Sequence, residues 1–186
     1  MFLLILSFAT AFLIGLLVKA VDNIEDIFRK NNKKMFLIYF SALFGLIYGI
    51  GIAFFISFWP LTFTIAVGTL IGLIFSKKID AKGHYFGFLG FIVGVLVFVP
   101  IDYFYSIGVV EVILILIFVF ANLLDEKSDA LQSRWKVSFF GLRPFLEIAA
   151  LLVSIFSGKI IIWTTIFFFD LGYNITAKLF KNTVEK

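Results

Sequence analysis

Four aspartates in this chain are each followed, four residues later, by a side chain that carries an oxygen or an imidazole. The pairs are Asp22 with Asp26, Asp80 with His84, Asp125 with Asp129, and Asp170 with Asn174. Residues at this spacing lie on one helical face, so both can hold one cation or flank one reacting group. Mg²⁺ prefers carboxylate oxygens as ligands. The pattern predicts a Mg²⁺ site with the ligands Asp22, Asp26, Asp80, Asp125, Asp129 and Asp170.

His84 is the only histidine, and an imidazole exchanges protons near neutral pH. Together with Asp80 it is predicted to be catalytic, acting as a base. Basic residues near the acids are predicted to bind phosphate, namely Lys82, Lys127, Arg134 and Lys136. This set favours an enzyme that acts on a prenyl or lipid (di)phosphate entering from the bilayer. Acids and lysines are also typical of helix ends, so separate structural roles remain an alternative.

Acidic residues within apolar runs support a second hypothesis, a proton- or cation-coupled small transporter. Asp170 is the only charged residue between Lys159 and Lys178, and Glu111 and Glu147 also fall within apolar runs. Acids at membrane depth usually face the bundle interior and belong to ion or proton pathways. A non-catalytic membrane scaffold or assembly factor is the third hypothesis, since it requires only solubility and helix pairing from these acids.

The elements that position these residues are predicted to be membrane helices. Of the 186 residues, 62% are hydrophobic and 15% are charged, and the mean hydropathy is +1.09. A soluble domain of this size cannot bury so much apolar surface, because roughly half of its residues must face water.

The chain has no cysteine, which excludes disulfides and thiolate metal sites. No nucleic-acid partner is expected despite the pI of about 9.3, because the basic residues flank apolar runs.

Seven apolar runs come close to the roughly 17 to 25 residues that a membrane helix needs. They are residues 2–21, 35–57, 61–76, 84–101, 106–124, 143–157 and 159–178. We predict an all-α polytopic transmembrane bundle of seven helices, with residues 1–186 forming a single membrane domain. The first run is predicted to be a retained helix, because no basic segment precedes it as in a signal peptide. The expected partner is the lipid bilayer, and a homo-oligomer is compatible with the pattern.

The basic residues predict the orientation of this bundle. Every lysine and arginine except Lys159 falls on the same side of the seven-helix arrangement. Basic loops of this length face the cytoplasm. We therefore predict a multi-pass protein of the cell membrane, with its N-terminus outside and its C-terminus in the cytoplasm. The four aspartate pairs then lie at or near cytoplasmic helix ends.

Two short acidic motifs resemble those of known membrane enzymes. Residues 23–26 and 125–129 are similar in site chemistry to the Asp-rich motifs of UbiA-type prenyltransferases. That resemblance implies Mg²⁺ bridging carboxylates to a diphosphate.

Asp22 and Asp80 resemble in placement the two aspartates of the prepilin peptidases, and residues 80–82 resemble the end of their G-x-G-D-x-K motif. The G-x-G that precedes the aspartate in that motif is Lys77-Lys78-Ile79 in this sequence.

A basic motif near the sixth run is similar to one in the lipid phosphatases. Residues 136–144, KVSFFGLRP, match the K-x6-R-P pattern of that family. Its downstream motifs supply catalytic histidines, whereas no histidine follows His84 in this chain. The match is therefore a coincidence of nine residues and implies no phosphatase activity.

Overall fold

The computed structural model describes residues 2–30, 35–77, 79, 82–135 and 143–184. Across these ranges the chain forms helices and no strand, which confirms the predicted all-α class for the described residues. The helices are α1 (Phe2–Lys30), α2 (Met35–Phe58), α3 (Thr62–Phe75), α4 (Lys82–Phe98), α5 (Ile101–Tyr105), α6 (Val109–Trp135), α7 (Pro144–Ser157) and α8 (Ile161–Val184).

Three helices extend well beyond the apolar runs that predicted them. α1, α6 and α8 end at Lys30, Trp135 and Val184, whereas the runs end at residues 21, 124 and 178. The added turns are polar, yet they contain many good helix formers such as Leu, Lys, Glu and Ala, and neither Gly nor Pro. α5 is a helix of five residues between the fourth and fifth predicted segments.

The helices form two compact units. Unit 1 contains α1, α2, α4 and the part of α8 from Phe168 onward. Unit 2 contains α3, α5, α6, α7 and the beginning of α8 up to Phe167. α8 therefore contributes residues to both units.

Unit 1 is held together by helices whose backbones approach closely at glycines. A Cβ added to Gly45 or Gly49 of α2 would fall on the carbonyl oxygen of Gly83 or Gly87 in α4. α1 and α8 make the same kind of contact, since a Cβ on Gly15 would fall on the backbone of Phe169. Small residues allow this approach, and van der Waals contact along the helices then stabilises the pair.

Unit 2 is centred on the contact between α3 and α6, where Gly68 packs against the Cβ of Phe118. Asn122 is fully buried there, and its side-chain nitrogen donates to the Thr69 carbonyl at 2.9 Å. α7 begins with Pro144, which suits a first turn because its missing N–H would have no helical partner. The helix ends at Ser157 and is capped by Gly158, whose positive φ of 67° favours glycine.

Within the described residues, two helical stretches are long and apolar enough to cross a membrane, Leu3–Ile27 and Phe36–Phe58. Three more apolar helices are shorter, and these are α3, α4 and α7. Large apolar side chains are widely exposed, with Leu96 at 78%, Val109 at 76% and Phe156 at 87%. These properties favour a membrane protein, because apolar surface this extensive is not stable against water.

Candidate functional site

A short contact between two ionisable side chains joins α1 to α4 in unit 1. Nε2 of His84 lies 2.7 Å from Oδ1 of Asp22. An ionised carboxylate only accepts hydrogen bonds, so Nε2 must carry a hydrogen to make this contact. Both side chains are partly accessible, with 16% of the His84 side chain and 26% of the Asp22 side chain exposed. Neither side chain of the pair is therefore completely enclosed by the helices of unit 1.

Tyr48 of α2 contacts the other nitrogen of the imidazole. Its hydroxyl lies 2.9 Å from Nδ1 of His84, and the tyrosine is only 8% exposed. Gly87 makes room for the ring, because a Cβ at that position would overlap the Tyr48 hydroxyl. Both ring nitrogens of His84 thus have partners, one from α1 and one from α2.

The second oxygen of Asp22 receives donors from α1 and α8. The Tyr173 hydroxyl donates to Oδ2 at 3.0 Å, and the Lys19 ammonium lies 3.5 Å from the same atom. Lys19 is also 3.3 Å from the Tyr173 hydroxyl and 4.9 Å from the centre of its ring. Charged hydrogen bonds are usually near 2.8 Å, so Lys19 is held loosely and mainly by charge and ring attraction. The Asp22 cluster therefore consists of Lys19, Asp22, Tyr48, His84 and Tyr173.

A buried glutamate places His84 by holding the first turn of α4. Glu25 is 8% exposed, and its Oε1 accepts from the Ser41 hydroxyl and the Gly83 backbone nitrogen, each at 2.6 Å. Its Oε2 accepts from the backbone nitrogen of Lys82 at 3.0 Å. The N–H groups of a first helical turn have no partners within the helix, and a negative charge there is favourable. Glu25 lies three residues after Asp22 on α1, so the same helix presents both carboxylates to α4.

The structure brings together only some of the predicted site residues of unit 1. Asp22 and His84 meet across helices, whereas Asp26 is exposed. Asp80 lies outside the described residues, so its pairing with His84 stays a prediction. Lys82 is exposed at its side chain, and Asp170 is buried at 2% exposed.

In unit 2, Asp125 serves the same structural purpose as Glu25. It is 2% exposed, and its two oxygens accept from the backbone nitrogens of Phe145 and Leu146 at 2.9 and 2.8 Å. It therefore holds the first turn of α7. Glu111 similarly accepts from the Gly108 nitrogen at 2.9 Å at the start of α6, and Glu147 lies in the first turn of α7.

The remaining predicted residues of unit 2 yield less information. Lys127 is exposed. The side chains of Asp129 and Arg134, and the whole of Lys136, lie outside the described residues. Over the described part of the chain, no three or more acidic or histidine side chains are grouped so that they could hold a metal ion. The Mg²⁺ site with its phosphate-binding residues therefore stays a prediction.

Sequence reasoning missed four members of the arrangement, namely Lys19, Glu25, Tyr48 and Tyr173. Tyr48 and Tyr173 stand in apolar runs, where a tyrosine is easily taken for another large apolar residue. A buried tyrosine hydroxyl, however, normally needs a hydrogen-bond partner. Glu25 was visible as an acid one turn after Asp22.

No family model, curated protein or solved structure matches this chain. Its functional interpretation therefore rests on the chemistry of its own residues.

Proposed function

We propose that this protein is a multi-pass protein of the cell membrane in which every helix except α5 crosses the bilayer. The exposed apolar side chains and the two long apolar stretches support this proposal. The N-terminus then lies outside and the C-terminus in the cytoplasm, as the basic residues predict. α3 and α7 have 14 residues each, about 21 Å at 1.5 Å per residue, so the bilayer must thin around them.

The orientation can be tested with single cysteines, because the chain has none of its own. We expect Ser106→Cys and Lys159→Cys to react with a membrane-impermeant maleimide on intact cells. Lys127→Cys should react only after permeabilisation. All three positions are exposed in the structure, so burial does not mask the result. Labelling of Lys127→Cys on intact cells would contradict the orientation, and protection of Lys159→Cys would show that α7 does not cross.

We further propose that the protein is a small transporter driven by a proton or another cation. The observation that carries this proposal is the Asp22 cluster, in which α1, α2, α4 and α8 meet through charged and hydrogen-bonding side chains. Charged groups among apolar helices are costly, and they usually mark the path of an ion or substrate. An ion that binds the cluster changes contacts between helices, which is how binding energy can favour one conformation over another.

Ion flux into liposomes tests the transporter. We expect the wild-type protein to carry protons or another monovalent cation under an imposed membrane potential, and Asp22→Asn to fall to the level of empty liposomes. Loss of the carboxylate removes the charge that balances Lys19 and binds His84. Asp26→Asn is the matched control, since Asp26 is an exposed acid one turn further along α1. Equal flux in wild type and Asp22→Asn, or equal loss in both variants, would contradict the proposal.

The Mg²⁺-dependent enzyme acting on a prenyl or lipid (di)phosphate stays a prediction, as does the scaffold. The enzyme depends on Asp80, Asp129 and Lys136, whose side chains lie outside the described residues. The carboxylates of Glu25 and Asp125 are already engaged by backbone N–H groups. A rise in Tm with Mg²⁺ that disappears in Asp80→Asn would establish the metal site, and absence of both metal and flux effects would favour the scaffold.

A further inference from the structure

We infer that the cation carried by this protein is a primary ammonium ion, which takes the place of the Lys19 ammonium on Asp22 and Tyr173. This inference rests on the transporter proposed above and names the substrate class of the same Asp22 cluster. It follows from the group that occupies this position, from how loosely that group is held, and from how firmly its partners are fixed.

The Lys19 side chain shows which groups of the cluster receive a primary ammonium. Its Nζ lies 3.5 Å from Oδ2 of Asp22 and 3.3 Å from the hydroxyl oxygen of Tyr173. The same nitrogen lies over the tyrosine ring, 4.9 Å from its centroid. An ammonium has only donors, so a carboxylate oxygen, a hydroxyl oxygen and the face of a ring are complementary to it. The position therefore matches the chemistry of an R–NH₃⁺ group.

Lys19 occupies this position without the short contacts that would keep it there. Hydrogen bonds from an ammonium to a carboxylate are usually about 2.7–2.9 Å long, and both contacts of Nζ are longer. The side chains of Lys19 and Asp22 are 20% and 26% exposed, and ion pairs that water reaches are weak. The flexible stem of the lysine lets its ammonium move to nearby water while its Cα stays in place. A free ammonium ion can therefore replace it.

The groups that hold the ammonium stay in position when it leaves. Oδ1 of Asp22 lies 2.7 Å from Nε2 of His84, and the Tyr173 hydroxyl donates to Oδ2 at 3.0 Å. The backbones of α1 and α8 pack closely beside them, because a Cβ on Gly172 would fall on the carbonyl oxygen of Phe12. The incoming ammonium thus meets a preformed site, and the exchange of one cation for another changes the protonation of no side chain.

Metal cations suit this position less well than an ammonium does. Mg²⁺ gives up water reluctantly and demands octahedral oxygen ligands at about 2.0–2.1 Å. An alkali cation needs enough oxygens to replace its hydration shell. Only two oxygens contact Nζ of Lys19 in the described part of the chain, one from Asp22 and one from Tyr173. An ammonium is satisfied by these two oxygens and the ring.

Lys19 also explains how the carrier can return without its substrate. An empty site with a bare Asp22 carboxylate would place an unpaired charge among apolar helices, which is costly. The Lys19 ammonium balances that charge in the empty state, and the substrate balances it in the loaded state. The lysine therefore competes with the substrate for Asp22, and its removal should strengthen substrate binding.

Binding of carbon-14 methylammonium to the full chain in nanodiscs tests this inference without an ion gradient. We expect saturable binding to wild type, about tenfold tighter binding to Lys19→Met, and no binding above background to Asp22→Asn. A site that is open for only about a tenth of the time has an apparent affinity reduced about tenfold, and Lys19→Met removes the competitor. Lys178→Met is the matched control, because it removes an exposed lysine of α8 and should bind like wild type.

Competition on the wild-type protein tests the substrate class even where a variant fails to fold. Unlabelled ammonium and methylammonium should displace the label, whereas tetramethylammonium, which has no N–H donor, should be at least about tenfold weaker. Na⁺ and K⁺ should be weaker to a similar degree at equal ionic strength. Equal displacement by tetramethylammonium, Na⁺ or K⁺ would overturn the inference, as would a folded Lys19→Met protein that binds no more tightly than wild type.

The binding and flux assays can fail separately. If methylammonium binds as expected while liposomes show no flux of any cation, the ammonium site stands and the transport function fails. If flux requires Asp22 but methylammonium neither binds nor competes with the ion that is carried, transport stands and its cation is not a primary ammonium.

Discussion

Replacing Gly49 with alanine is expected to destabilise unit 1 by about 3 kcal/mol, the upper end of the usual cost of overpacking. The added Cβ would fall on the Gly87 carbonyl oxygen and lie 2.7 Å from the backbone nitrogen of Phe91. Backbone atoms within a helix cannot rotate away as a side chain can, so α2 and α4 would have to separate. Separation would also pull Tyr48, the neighbour of Gly49, away from His84.

Gly51 offers a matched control on the same helix. An alanine there would lie 3.5 Å from the nearest atom, Cγ1 of Ile14, which is ordinary contact. Alanine also stabilises a helix relative to glycine by roughly 0.5–1 kcal/mol, so Gly51→Ala should be neutral or slightly stabilising. Denaturant unfolding in detergent, followed by circular dichroism, compares the two variants. Equal stability of Gly49→Ala and Gly51→Ala would show that α2 and α4 do not pack through these glycines.

The helices could be predicted from the sequence because length and apolar composition are local properties. Their polar extensions were missed, since residues 22–30 of α1 end the apolar run without ending the helix. The close contact of α2 with α4 could not be predicted in the same way. Glycines at positions 45 and 49 indicate that something packs closely there, but their partners Gly83 and Gly87 are about 38 residues away in the chain.

The Asp22 cluster illustrates the same limit for the candidate site. The spacing of Asp80 and His84 predicted a pair within one helix, and the spacing of Asp22 and Asp26 predicted another. In the structure His84 contacts Asp22, 62 positions earlier, because α1 and α4 pack side by side. Local spacing pointed to both of these residues but not to their contact with each other, since only tertiary packing determines which helix faces are neighbours.

Removing the carboxylate of Glu25 is expected to cost about 3 kcal/mol in Glu25→Ala. Three donors lose their acceptor together, namely the Ser41 hydroxyl and the backbone N–H groups of Lys82 and Gly83. Each buried donor left without a partner costs roughly 1–3 kcal/mol, and water reaches the least buried of them, Lys82 N–H. Asp26→Ala, which truncates the exposed acid beside it, should stay within about 0.5 kcal/mol of wild type.

Glu25→Gln separates the stability of α4 from the position of His84. The amide keeps one accepting oxygen but replaces the other with a donor, so one of the two backbone N–H contacts is lost. We expect an intermediate loss of stability, measured by unfolding in detergent. We also expect the nitrogen-15 NMR signals of the ring of His84, the only histidine in the sequence, to shift because the first turn of α4 loosens. If the ring signals of Glu25→Gln match wild type while stability falls, Glu25 supports the helix without positioning the imidazole. If both are unchanged, the first turn of α4 is held by other contacts, and the link from α1 through Glu25 to His84 is wrong.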